Sequence, residues 1–150
     1  MSLKYAMVDL IKWIEETKAM TKKIIEVVGA AIIKDNKVLA MQRGEQMTLP
    51  GMWEFPGGKI EANETEEQAL IREIKEELNI TIEIRDYINE ASYDYDFGTG
   101  NLKVYTAEIV AGNISMEEHS DGKWVAADEL MAIDWAPVDI PVAEALTTYL

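Results

Sequence analysis

Residues 57–80, GGKIEANETEEQALIREIKEELNI, decide how the rest of the chain is read. Thr65 stands three residues before Gln68, the spacing of a capping box, and Glu66 and Glu67 put negative charge at the positive end of a helix dipole. The pattern predicts a helix that begins after Thr65 and runs to about Leu78. At about 100° per residue, Leu70, Ile71, Ile74 and Leu78 form one apolar stripe that would face a core. Glu73, Glu76 and Glu77 fall together beside it, at i, i+3 and i+4. Like charges so spaced destabilise an isolated helix by roughly 0.2–0.5 kcal/mol per pair. Taken alone, three such glutamates are read most simply as a solvated acidic face. The other reading is a platform for a hard divalent cation, because magnesium is commonly held by a few carboxylates together with substrate phosphates.

Upstream, residues 24–33 are rich in β-branched side chains, and residues 37–43 form a second extended run after Asp35-Asn36, which predicts a hairpin. Residues 44–56, with Pro50, Gly51 and Pro56, read as a loop leading into Gly57-Gly58. Earlier still, Leu3, Met7, Leu10, Ile11, Ile14 and Met20 recur at helical spacing between charged residues, which predicts an amphipathic N-terminal helix. Downstream, residues 80–84, 87–95 and 102–110 read as strands, with residues 98–101 as the turn between the last two. Residues 123–126 read as another strand, 127–131 as a short helix and 141–149 as a final helix opened by Pro141. The expected class is α+β, a mixed sheet between helices, with a helical extension over residues 1–23 and one domain over residues 24–150.

At 150 residues the chain has the size of one domain. No apolar run approaches the roughly 20 residues of a membrane-spanning helix, and the first residues lack the basic-then-apolar pattern of a signal peptide, so a cytoplasmic protein is expected. The absence of cysteine excludes disulfides, thiolate metal ligands and a thiol nucleophile. A formal net charge of −14 opposes attraction to a nucleic acid polymer or an anionic membrane, which carry the same sign. It would also repel a small phosphorylated substrate unless cations stood between the two, which again directs attention to divalent metal.

Around the three glutamates the spacing is fixed at many more positions. Gly58, Glu64 six residues on, Arg72-Glu73, Ile74, Glu76-Glu77 and Ile80 reproduce the signature box of the Nudix family: Gly, five residues, Glu, seven residues, Arg-Glu, an aliphatic, any residue, Glu-Glu, any residue, Gly, an aliphatic. The chain departs from the box at Asn79, where the family has glycine. Asparagine is the next-best residue for the left-handed conformation that ends a helix, so the same geometry is expected. WEFPGGKIE, residues 53–61, resembles the MutT-like branch of the family, and the likeness runs over residues 24–145, leaving only the N-terminal helix outside.

The resemblance implies the Nudix fold, a mixed sheet sandwiched between helices, and hydrolysis of a nucleoside triphosphate to the monophosphate and pyrophosphate with Mg2+, or alternatively Mn2+. It implies metal held by the Gly57 carbonyl and by Glu73, Glu76 and Glu77. Glu118, six residues before Trp124, is expected to complete the set from a later loop, with Glu117 as its rival. Glu76, Glu77 and Glu118 are the catalytic candidates. One carboxylate would orient and deprotonate the attacking water while metal ions neutralise charge on the entering and leaving oxygens. Gly58 and Lys59 would lie near the phosphates, and Glu64 and Arg72 would pair to hold the loop against the helix.

Arg43 ends the second extended run, where MutT-like relatives set an arginine against the nucleotide; a surface ion pair is the plainer reading. Of Trp53, Phe55, Tyr93, Tyr95 and Trp135, one or two are expected to touch a base, Phe55 among them, and the others to be core. Asp139, within WAPVDIP at residues 135–141, stands where the branch places a residue that reads the base. Its other reading is a cap for the last helix. His119 reads as an exposed loop residue, with contact to phosphate or metal as the alternative. The expected substrate is 8-oxo-dGTP or a cytidine triphosphate, acted on by a monomer or homodimer with no polymer or membrane partner. Two other functions compete: cleavage of a nucleoside diphosphate linked to another group, such as ADP-ribose or a sugar nucleotide, and nucleotide sensing without catalysis. The first class usually adds N-terminal sheet elements, and the second tends to lose box glutamates that are all present here.

Overall fold

The structure, a computed structural model, describes Leu10, residues 23–116 and residues 118–150. The helix expected over residues 3–20 lies outside the described residues apart from Leu10, which is exposed, and Glu117 lies outside them too.

Among the described residues, seven strands make a mixed sheet. β1 (Ile24–Lys34) and β2 (Lys37–Gln42) form the hairpin, and Asp35 and Asn36 both take positive φ, 51° and 61°, as a tight two-residue turn demands. Then come the short β3 (Trp53–Glu54) and β4 (Gly57–Lys59), α1 (Glu66–Leu78), β5 (Ile80–Tyr95), β6 (Gly98–Gly112), β7 (Asp121–Val125) and α2 (Ile140–Tyr149). The strand order is β3-β2-β1-β6-β5, with β4 paired to β1 and β7 paired to β2. β1 and β6 run parallel, and the other pairs are antiparallel.

Alternation along the strands sends successive side chains to opposite faces. Val28, Ala30 and Ile32 of β1 and Leu39 and Met41 of β2 pack with Ala69, Leu70, Ile74 and Leu78 of α1. Ala31, Val38 and Ala40 pack instead with Val142, Ala143 and Leu146 of α2. The helices therefore cover opposite faces of the sheet, which gives the α+β sandwich. Burying one Leu or Ile side chain is worth roughly 1.5–3 kcal/mol, so the wholly buried Leu70, Ile74 and Leu78 fix α1 against the sheet.

Both ends of α1 are closed by local chemistry. Gln68 N–H donates to Thr65 Oγ1 at 3.1 Å, and Thr65 N–H donates to Gln68 Oε1 at 2.9 Å. Asn79 ends the helix in the left-handed region, φ 57° and ψ 36°, with its N–H donating to the Lys75 carbonyl at 3.0 Å.

The structure differs from the sequence reading at several places, the first being that Trp53 and Glu54, inside the segment read as a loop, form β3. The turn expected at residues 98–101 lies earlier, at Asp96 and Phe97, and Gly98 and Gly100 are strand residues of β6. β5 is one strand rather than two, because irregularities between Ile84 and Asn89 absorb the break. The helical piece expected at residues 127–131 is a 3-10 turn at Leu130–Ala132. Ile71 is exposed, and Ala69 is buried in its stead. At about 100° per residue, burial of Ala69, Leu70, Ile74 and Leu78 rolls α1 so that Glu73 and Glu77 fall on its inward face, between Ala69 and Leu70. Glu76 stays at the margin. Among the described residues, no helix is long and apolar enough to cross a membrane.

Candidate active site

The roll of α1 brings its acidic side to a cleft of about 680 Å3. Arg43, Phe55, Gly57, Gly58, Lys59, Glu73, Glu76, Glu77, Glu118 and Asp139 all line it, although they come from five separate stretches of sequence. Glu64 and Arg72 stand outside its lining.

Two glycines make room for the carboxylates. A Cβ on Gly58 would stand 2.3 Å from Glu73 Cδ, and one on Gly57 would stand 2.0 Å from the Val28 carbonyl oxygen. A side chain at position 58 would displace Glu73, and one at 57 would break the pairing of β4 with β1. Glu77 is held at both oxygens: Gly57 N–H donates to Oε2 at 3.3 Å, and His119 Nδ1 lies 3.0 Å from Oε1. Burial, opposed by the His119 charge and reinforced by Glu54, pushes the Glu77 pKa up to about 7.

Arg72 gathers the residues around the start of α1. Its Nε and Nη2 donate to Glu64 Oε2 and Oε1 at 2.8 and 2.6 Å, and Nη2 also donates to the Lys59 carbonyl at 3.1 Å. Its Nη1 reaches Glu73 Oε1 at 2.8 Å and Glu76 Oε2 at 3.2 Å. The guanidinium thus ties the segment before the helix to the helix itself. Its hydrogen bonds hold the Glu64 carboxyl down to about 2. Glu76 is 63% exposed, whereas Glu73 and Glu77 are 22% and 16% exposed. As they stand, no three carboxylate or imidazole groups among the described residues converge to hold one ion.

His119 is not the exposed loop residue that the sequence suggested. Its side chain is 2% exposed, and its Nε2 lies 3.4 Å from Glu54 Oε2. Glu54 is in turn gripped by Arg43, whose Nη1 donates to both carboxylate oxygens, to Oε2 at 2.9 Å. Arg43 Nη2 donates to the Thr48 hydroxyl at 2.8 Å. Arg43 is therefore both a cleft residue and half of a largely buried ion pair. Burial alone would lower the His119 pKa, but the Glu54 hydrogen bond and the Glu77 and Glu54 charges outweigh it and the net shift is upward.

Asp139 precedes α2 without capping it, for its side chain makes no bond to the helix. The carboxyl is buried and accepts the Phe55 N–H at 3.1 Å, and burial raises its pKa well above the usual range. Among the aromatic residues named from sequence, Phe55 and Tyr95 line the cleft. Trp135 is buried and stacks on Phe55 at 4.5 Å, while Trp53 and Tyr93 stand outside the lining. Sequence reading passed over Met47, Leu49 and Phe97, which also line the cleft. Phe97 stacks on Tyr95 at 5.0 Å, with 6° between the rings. Two aromatic residues at i and i+2, one before the turn and one within it, were the available signal.

The family model described as NUDIX domain matches residues 23–146. The CTP pyrophosphohydrolase of Escherichia coli K12 is 37% identical over 123 residues, 82% of this chain and 91% of that protein. The 8-oxo-dGTP diphosphatase of the same strain is 31% identical over 125 residues, 83% of this chain and 97% of that protein. The solution NMR structure of the DNA mismatch repair protein MutT of methicillin-resistant Staphylococcus aureus 252 matches with a TM-score of 0.72 at 45% identity, covering 87% of this chain and all (100%) of that one.

Proposed function

The chain belongs to the Nudix family, as a MutT-type hydrolase of phosphoric anhydride bonds, and from that premise we propose that it cleaves a nucleoside triphosphate to the monophosphate and pyrophosphate with Mg2+ or Mn2+. The observation that carries this reading is one shared cleft, in which the acidic side of α1 and the buried Asp139 line the same 680 Å3 space. Small-molecule sites commonly enclose about 300–1,000 Å3.

The donor set fits a hard divalent cation. It consists of oxygens, and Glu73 is seated against Gly58 more closely than any side chain there would allow. Burial of Glu77 near Glu54 and Glu73 leaves negative charge that a cation would offset. Glu73, Glu76, Glu77, Glu118 and the Gly57 carbonyl are the groups to hold it. When bound, such an ion neutralises charge on the phosphate oxygens.

The chain's own groups bind, orient and move the proton. Gly58 and Lys59 meet the phosphates, and the Arg43 fork suits a phosphate or a base edge. Glu76, Glu77 and Glu118 are the carboxylates available to orient and deprotonate the attacking water. Phe55, Tyr95 and Phe97 offer faces to a base, and Asp139 offers it a polar edge. An exocyclic amine is common to cytosine and 8-oxoguanine, so 8-oxo-dGTP and cytidine triphosphates are the proposed substrates.

The test is incubation with Mg2+ and a panel of nucleoside triphosphates, 8-oxo-dGTP, 5-methyl-dCTP and ADP-ribose, with products identified by phosphorus NMR. Monophosphate and pyrophosphate from 8-oxo-dGTP or a cytidine triphosphate support the reading. Turnover of ADP-ribose alone, or of nothing, overturns it.

A further inference from the structure

Arg43, Glu54, His119 and Glu77 form one continuous chain of charged contacts along the wall of the cleft, and the proposed reaction uses only its two ends. Arg43 enters it from the end of β2, Glu54 from β3, His119 from the segment before β7 and Glu77 from α1. His119 is the joint. Its Nδ1 lies 3.0 Å from Glu77 Oε1 and its Nε2 lies 3.4 Å from Glu54 Oε2, with the side chain 2% exposed.

We propose that His119 is a positioning residue, which fixes the Glu77 carboxylate and couples it to the Arg43–Glu54 pair, so that the nucleotide-facing arginine and the working glutamate share one rigid frame. The proposal rests on Glu77 being a working carboxylate of the proposed hydrolase. A glutamate side chain has several soft torsions, and a carboxylate that must act at one place needs partners that stop it turning. Gly57 N–H restrains only Oε2. His119, arriving from the segment before β7, restrains Oε1. Glu54 and Glu77 also lie on either side of one imidazole in a place with little water, where like charges need a shared partner to stay packed. A histidine buried only to fill space would have no cause to present both ring nitrogens to carboxylates.

The test compares wild type, Glu77→Gln, His119→Asn and His119→Leu. Asparagine keeps an amide nitrogen near the place of Nδ1, and leucine keeps only bulk. For the preferred triphosphate, His119→Leu is expected to lose about 10- to 100-fold in kcat, the usual effect of removing a group that orients a working ligand, with KM little changed. His119→Asn should recover part of that loss. Binding of Mn2+ to the nucleotide-free protein, followed by electron paramagnetic resonance, should weaken in the same order, with thermal unfolding recorded for each variant. A wild type inactive on every nucleotide would remove the hydrolase reading itself. An active wild type, a crippled Glu77→Gln and a folded His119→Leu with unaltered kcat and Mn2+ binding would overturn the role of His119 alone. Equal kcat losses in both His119 variants, in step with lowered Tm, would also overturn it by making the residue merely structural.

Discussion

The Asp139 carboxyl accepts the Phe55 N–H at 3.1 Å across 84 residues of sequence, joining the start of α2 to the segment that leads into Gly57. Burial raises the Asp139 pKa well above its ordinary 3.8, so as pH rises past that value the unfolded chain gives up its proton first. Stability is therefore lost as pH rises from 3.8 toward the folded-state pKa. Asp139→Asn keeps an oxygen for Phe55 and removes this loss. It should raise Tm, and raise it more at about pH 8 than at about pH 5. Thermal unfolding by circular dichroism at both pH values checks the difference, and a larger gain at the lower pH would contradict it.

The same residue should govern choice of nucleotide. Asp139→Ala is expected to change the ranking of triphosphates in kcat/KM, since a buried polar group facing a base discriminates by about 1–3 kcal/mol per contact. Steady-state kinetics on the nucleotide panel measures it. A uniform drop across all bases would assign Asp139 to holding Phe55 and nothing more.

Glu64 works in the opposite pH direction. Arg72 holds its carboxyl at about 2, against 4.5 in the unfolded chain, so its stabilising effect is present above 4.5 and is lost as pH falls toward 2. Glu64→Gln should flatten the acid limb of the stability curve in that window and change little in its slope above it. Urea unfolding at a series of acid pH values gives the comparison, and an unchanged acid limb would contradict the pairing.

Asn79 tests the one departure from the box. Its φ of 57° lies in the left-handed region, so Asn79→Gly should be neutral or slightly stabilising, while Asn79→Ala should cost about 1–2 kcal/mol. Chemical unfolding of the two variants decides it. A harmless alanine would show that the helix end relaxes.

What sequence made legible follows the range of the interactions. The Thr65–Gln68 box, the Asn79 ending and the Asp35-Asn36 turn depend on residues a few positions apart, so their chemistry is complete within a short window. The acidic face of α1 was visible for the same reason. Its roll was not, because whether Ile71 or Ala69 faces the core depends on the sheet beneath, and that roll seats Glu73 and Glu77 inward. The glycines at 98 and 100 carried turn composition yet pair within a strand, since Tyr93 and Tyr95 on β5 supply the partners. Glu54 and His119 meet across 65 residues, and nothing near either one announces the other. The cleft residues Met47 and Leu49 lie in a loop whose sequence stands out only by its prolines and glycines.

Glu77→Gln tests most directly whether the acidic side of α1 performs hydrolysis of a triphosphate. Glutamine keeps the size of the side chain and removes the charge that Gly57 and His119 hold in place. With Mg2+ and the preferred triphosphate, turnover should fall by about 10²–10⁴-fold, the range for a lost acid–base or metal-holding group, while Tm stays at or above that of the wild type because a buried carboxylate has been neutralised. A folded Glu77→Gln protein that turns over its nucleotide at near the wild-type rate would contradict the account.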